Sequence, residues 1–152
     1  MKKLVLVITL VLGALSIQAQ SIFTDEKGVA IKGYDVVAYF VQNKAVKGTE
    51  KFSAKHDGVT FHFANEGNKK KFVASPEKYL PKYGGYCAYA VGAMNSKVPV
   101  NPETFKLVDG ELYLFFNDLY EGKPMNTIEP WNADEAALKS KADANWKELA
   151  DK

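Results

Sequence analysis

The sequence has no arginine: all 20 of its basic residues are lysine. Arginine is the usual bidentate reader of phosphate and guanine, and no basic run stands out beyond Lys69–Lys71, so nucleic acid is not an expected partner. Imidazole is almost as scarce, with His56 and His62 only. Cysteine occurs once, at Cys87, which excludes an intramolecular disulfide. No CxxC or HxxxH spacing exists, and after the first 17 residues there is no further long apolar run.

What is present divides into a leader and a globule. Lys2 and Lys3 precede an apolar run, Leu4–Ile17, too short and weakly flanked to span a bilayer, with Ala19 as a small residue for cleavage. Residues 1–20 are therefore expected to be a signal peptide and the mature protein to be periplasmic or secreted, with no membrane attachment after cleavage. The two leader lysines account for the whole net charge of +2. Hydrophobic residues make up 47%, with nine Phe and eight Tyr, so residues 21–152 are expected to fold as one domain around a real core.

Along that domain Asp25–Gly28 suggests a turn, and Asp35 can cap a short helix carrying Val36, Val37, Tyr39 and Phe40. Asp57-Gly58 splits Phe52–His56 from Val59–Phe63, a strong hairpin signal, with Phe61 and Phe63 inward and His62 outward. His56, at the turn edge, is expected to be exposed. Asn65 can cap a helix over Glu66–Ala74, with Phe72 and Val73 inward and the lysine triplet on a solvated face. Ser75-Pro76 opens a short turn. Tyr86–Val91 alternates and predicts a strand; Gly92–Pro102 reads as a loop, with Met94 packing in it. A second hairpin turns at Asp109-Gly110 between Thr104–Val108 and Glu111–Phe116, and Asn117–Glu129 reads as a loop. Leu138, Ala142, Trp146 and Leu149 form one stripe of a helix over residues 134–150. Hairpins and helices without βαβ repetition predict an α+β fold, a small antiparallel sheet with short helices and a C-terminal helix packed against it.

The most chemically loaded stretch is Lys82–Val91, KYGGYCAYAV. A thiol among tyrosines, next to two glycines that let other groups approach, predicts a ligand pocket lined by Tyr83, Gly84, Gly85, Tyr86, Cys87 and Tyr89. Its occupant is expected to be a small ligand or a protein partner. A second reading is a soft or borderline metal ion, copper or zinc, on Cys87 with His62 and His56, reached if Cys87 and His62 lie on adjacent strands. A third is a thiol enzyme with Cys87 as nucleophile and a histidine base; no further signature supports it, and a catalytic role is the least favoured.

GYDVVAYF (33–40), DGVTFHFAN (57–65), KKFVASPEKYLPKYGGYCAYAV (70–91) and FKLVDGELYLFFN (105–117) together resemble the YHS domain family, in particular its exported single-domain members; ADANW (142–146) is similar to the same subgroup. The resemblance implies metal binding, because the family occurs in metal-transporting ATPases and multicomponent oxygenases. The ATPase-type members carry two cysteines where this chain has residues near Ala38 and at Ala64. Any metal site here is therefore expected to be rebuilt around Cys87.

Overall fold

A computed structural model describes residues 21–152; the expected signal peptide, residues 1–20, lies outside the described residues. The fold is α+β, as the element pattern predicts: among the described residues five α-helices accompany six short strands that pair into three antiparallel two-stranded ribbons. In chain order these are α1 (Val36–Gln42), β1 (Thr49–His56), β2 (Val59–Phe63), α2 (Glu66–Ala74), α3 (Ala88–Met94), β3 (Asn101–Val108), β4 (Glu111–Phe115), β5 (Asn117–Tyr120), β6 (Lys123–Asn126), α4 (Ile128–Ala133) and α5 (Glu135–Leu149).

Local chemistry explains most boundaries. Asp35 caps α1, its Oδ1 accepting from the amides of Val37 at 2.9 Å and Ala38 at 3.2 Å. Its Oδ2 accepts from the Ala64 amide at 2.9 Å and from Asn68 Nδ2 at 2.7 Å, so one fully buried carboxylate joins α1 to the start of α2. Four donors satisfy the charge that burial would otherwise strand. Asn65 caps α2 through Asn68 N, as its position suggests. All three ribbons turn on a two-residue X-Gly pair with both φ positive: Asp57-Gly58, Asp109-Gly110 and Glu121-Gly122. That geometry matches the strand twist.

Two segments differ from expectation. Residues Ala88–Met94 are helical, not a strand, and β5, β6 and the first two residues of α4 occupy the segment read as a loop. In α3 the buried residues Ala88, Val91 and Gly92 follow helical spacing, and three alanines favour the helix. Val73 also points outward, at 61% exposure, while Phe72 alone anchors α2.

The core has two parts that meet at β4. Leu112 and Leu114 pack with Phe61, Phe63, Phe72, Val37 and Tyr39. Tyr113 and Phe115, on the opposite face, pack with Trp131, Leu138, Ala142 and Trp146. A strand buried on both faces is unusual for an antiparallel ribbon; α5 provides the second cover. Gly92 makes that cover close: a Cβ there would lie 2.6 Å from the Leu138 carbonyl oxygen and 3.4 Å from Ala142 Cβ. Among the described residues no helix is long and apolar enough to cross a membrane.

Candidate functional site

Cys87 precedes α3 and is fully buried, its amide donating to Val98 O at 2.9 Å and its backbone bridging to Leu114 of β4. Its sulfur lies 3.3 Å from Thr127 Oγ1. Thr127 donates its own hydroxyl proton to Phe116 O at 3.0 Å, which leaves its oxygen free to accept. With that proton engaged, the Thr127 oxygen can accept from the thiol. Thr127 itself is buried and precedes α4.

Above this pair opens a cavity of about 330 Å³. Cys87, Thr127 and Ala90 are its buried base; Tyr89, Val98 and Phe116 form half-buried walls. Ala93, Met94, Tyr120 and Met125 lie at the exposed mouth. The β5–β6 ribbon supplies Tyr120 and Met125, so it forms one jaw and the end of α3 the other. Among the described residues, no carboxylate, ammonium or imidazole group lines this space.

Only two of the six pocket residues expected from the sequence line it, Cys87 and Tyr89. Tyr83 is buried between Tyr113 and Trp146, with ring centroids 6.0 and 6.1 Å away, and donates its hydroxyl to Asp143 Oδ1 at 2.9 Å. Burial, reinforced by that carboxylate, raises its pKa far above the ordinary phenol value. Tyr86 packs on Phe23 at 5.6 Å and Trp146 at 6.2 Å. Gly84 and Gly85 serve close packing rather than ligand access. A Cβ on Gly84 would lie 1.8 Å from Ser21 O, and one on Gly85 2.3 Å from Ile31 Cδ1. Both glycines also have positive φ, +59° and +83°.

The expected Cys87–His62–His56 metal set is not assembled. β2 pairs with β1 and, through Thr60, bridges to Val29; Cys87 does not lie on a strand and bridges to Leu114 of β4, so the shared face that would have joined sulfur to imidazole does not form. His62 lines a different cavity of about 450 Å³ with Lys27, Lys32, Lys47, Asp25 and Glu50. His56, half-buried rather than exposed, packs edge-on against Phe72 at 5.8 Å, with Nε2 3.4 Å from Asp57 Oδ2 and 3.3 Å from Glu77 Oε1. Among the described residues no group of three or more His, Cys, Asp or Glu side chains is placed to hold a metal. The thiol-enzyme reading loses its base for the same reason, since the hydroxyl of Thr127 cannot take that role at neutral pH.

The site residues that the sequence reading missed are Thr127, Phe116, Val98, Tyr120, Met94 and Met125. A signal for the jaw was present: Glu121-Gly122, between Leu119-Tyr120 and Pro124-Met125, is a third X-Gly turn. Comparison of the chain with protein-family models, curated proteins and solved structures finds no match.

Proposed function

We propose that this chain is an exported YHS-type binding module that holds a small, weakly hydrated ligand in the cavity above Cys87. The observation that carries this reading is the composition of that cavity. It combines apolar walls with two polar groups at its base, Cys87 and Thr127, a pattern typical of small-molecule sites. Its volume of about 330 Å³ suits a molecule of one ring or an ion with its donors. Exposed apolar side chains at the mouth support the reading, since Met94 and Tyr120 are 59% and 53% accessible with no folding role to account for them. The export half of the proposal rests on Lys2, Lys3 and the Leu4–Ile17 run. The family half rests on the four segments quoted above, which supply most of α1, β2 with its turn, the end of α2, the Cys87 turn and most of the second hairpin.

The test uses toluene, a neutral probe that apolar cavities of smaller size accept. Titration followed by the methyl NMR signals of Met94 and Met125 should show saturable shifts in the wild type. Ala93→Trp, which fills the mouth from an exposed position, should abolish them while leaving the fold intact. Shifts that persist in Ala93→Trp, or a wild type that shows none, would refute the assignment of this cavity.

A further inference from the structure

The outward face of the first hairpin is partly covered. Ser53 stands opposite His62 in the β1–β2 register, and both are half-buried, as is Thr60. Residues 25–30 wall this face on one side: Val29 bridges to Thr60, and Ala30 N donates to Thr60 O at 2.8 Å. On the other side Tyr34 bridges to Lys47, and Gly48 N donates to Gly33 O at 2.9 Å. The result is a cavity of about 450 Å³, with Ser53, Thr60 and His62 at its base and Lys27, Lys32 and Lys47 exposed around it. We propose that this cavity is a second binding site, separate from the one above Cys87, and that it takes a phosphate-type oxyanion, free or as the end group of a small phosphomonoester.

The donors converge on one point. A Cβ on Gly33 would lie 3.5 Å from His62 Nδ1 and 3.7 Å from Lys47 Nζ, so imidazole and ammonium face the same spot beside a residue with no side chain. The Lys47 ammonium is held there by the carbonyl oxygen of Lys32, to which it donates, and it stands 4.8 Å from the Tyr34 ring centroid. That carbonyl belongs to an unusual stretch, since Ile31, Lys32 and Gly33 have φ of +49°, +53° and +79°. A β-branched residue in the left-handed region is an outlier. Here the fully buried Ile31 side chain pins it. Backbone strain of this kind collects at ligand sites, and its product here is the Lys32 carbonyl that orients Lys47.

Charge selects an anion. Three ammoniums face two carboxylates, Asp25 and Glu50, so the cavity is positive before His62 is counted. Asp25 is engaged in its own turn, its Oδ1 accepting from the amides of Lys27 and Val29 at 2.9 Å each. Glu50 is exposed at the rim. Among the described residues no salt bridge includes Lys27, Lys32 or Lys47, whereas Lys82, Lys106 and Lys139 all pair with carboxylates. A dianion placed among the three ammoniums relieves their mutual repulsion. Donor type selects the anion's shape. Lysine binds phosphate as a point charge without arginine's fork, and the Ser53 and Thr60 hydroxyls with the His62 ring add directional donors for tetrahedral oxygens. The cavity is larger than one such anion needs, so an ester's carbon skeleton has room, with Glu50 as an acceptor for its hydroxyl groups.

The experiment titrates the protein with inorganic phosphate and, separately, with glycerol phosphate, at constant ionic strength set with sodium chloride. NMR follows the His62 ring and the Gly33 amide. Both signals should shift and saturate with one anion bound, while the Met94 and Met125 methyl signals, which report the other cavity, stay in place. Lys32→Gln and Lys47→Gln, at exposed positions, should each weaken phosphate binding about 5- to 10-fold, and the double variant should abolish saturation. Lys123→Gln removes the same charge from β6, outside this cavity, and should change the affinity less than about 2-fold. Tighter binding of the ester than of inorganic phosphate would identify a phosphomonoester site, and equal binding a site for the anion itself; either supports the oxyanion assignment. Shifts that fail to saturate, or that saturate equally in the double variant, would overturn it. So would a loss of affinity in Lys123→Gln as large as in Lys47→Gln, which would reduce the effect to general charge attraction.

Discussion

Tyr83–Tyr86 and Cys87–Met94 are consecutive on the chain, and the fold treats them in opposite ways. The first segment is used up by packing: Tyr83 and Tyr86 meet Trp146, and Gly84 lets the backbone of Ser21 cross it. The second turns into a helix whose Ala88 and Gly92 side packs against α5 while Ala90, Ala93 and Met94 are left on a cavity. The difference lies in what stands opposite. Trp146 and the long α5 cover the aromatic segment, whereas the short β5–β6 ribbon reaches only the rim of the other. Aromatic residues beside glycines are thus no sign of a pocket by themselves; the cavity sits where the covering element is too small to close it.

Removing the cover should have the largest effect. Trp146 is 8% exposed and touches both tyrosines of the packed segment. Trp146→Ala is expected to cost about 3–5 kcal/mol, read by denaturant titration. In the protein that remains folded, the toluene response of the Met methyl groups should persist, because Trp146 does not line that cavity. A loss below about 1 kcal/mol would show that α5 is not docked on this segment.

Gly84→Ala probes the same segment through the backbone. A Cβ at 1.8 Å from Ser21 O forces the N-terminal segment away, and φ of +59° is strained for alanine. Overpacking of about 1–3 kcal/mol together with about 1–2 kcal/mol for the left-handed conformation sets the expected loss at about 2–5 kcal/mol. Gly58→Ala is the control: its φ is likewise positive, but a Cβ there meets nothing within 4 Å, so the strain alone should appear. Equal losses at the two glycines would remove the close-approach argument.

Periodicity made part of this architecture legible. The stripe Leu138, Ala142, Trp146 and Leu149 is buried as its spacing predicts, and both Asp-Gly hairpins form in the expected places. Asp35 caps α1, but its bonds to Ala64 and Asn68 join residues about 30 positions apart and had no local signal. The α3 segment failed because six residues of mixed small and large side chains fit periods of 2 and 3.6 equally well. The jaw failed for a different reason. Leu119, Tyr120 and Met125 are exposed, so β5 and β6 lack the alternation that burial imposes. Cys87 and Tyr89 were found because the thiol marked them. Their partner Thr127 lies 40 residues away and only tertiary structure brings it there. His62 was read correctly as facing away from the core, and that same outward direction is what leaves it in a separate, lysine-rich cavity.

The smallest expected effect concerns the polar seam that holds α5 over the packed segment. Glu111 accepts from Tyr113 Oη at 2.7 Å and lies 3.1 Å from Lys82 Nζ and 3.3 Å from Lys139 Nζ, so it links the turn before Tyr83 to β4 and to α5. The Tyr113 hydrogen bond first, then the two lysines, hold its carboxyl down at about 2, against opposing desolvation. Burial, then the same bond, pushes the Tyr113 phenol up to about 12. A carboxyl lowered in the folded state stabilises fully above its unfolded value near 4.5, and that contribution is lost as pH falls from there through about 2. Stability should therefore decline across this window, and Glu111→Gln should flatten the decline, with a small loss at neutral pH because the side chain is about one-third exposed. Added salt should shrink the difference between wild type and variant, since the two lysine partners are similarly open to solvent. The seam lies outside the Cys87 cavity, so toluene shifts at pH 7 should be identical in the two proteins. An acid limb unchanged in Glu111→Gln would assign the α5 clamp to Trp146 and its apolar neighbours alone, and with it the whole difference between the covered and the open half of the stretch.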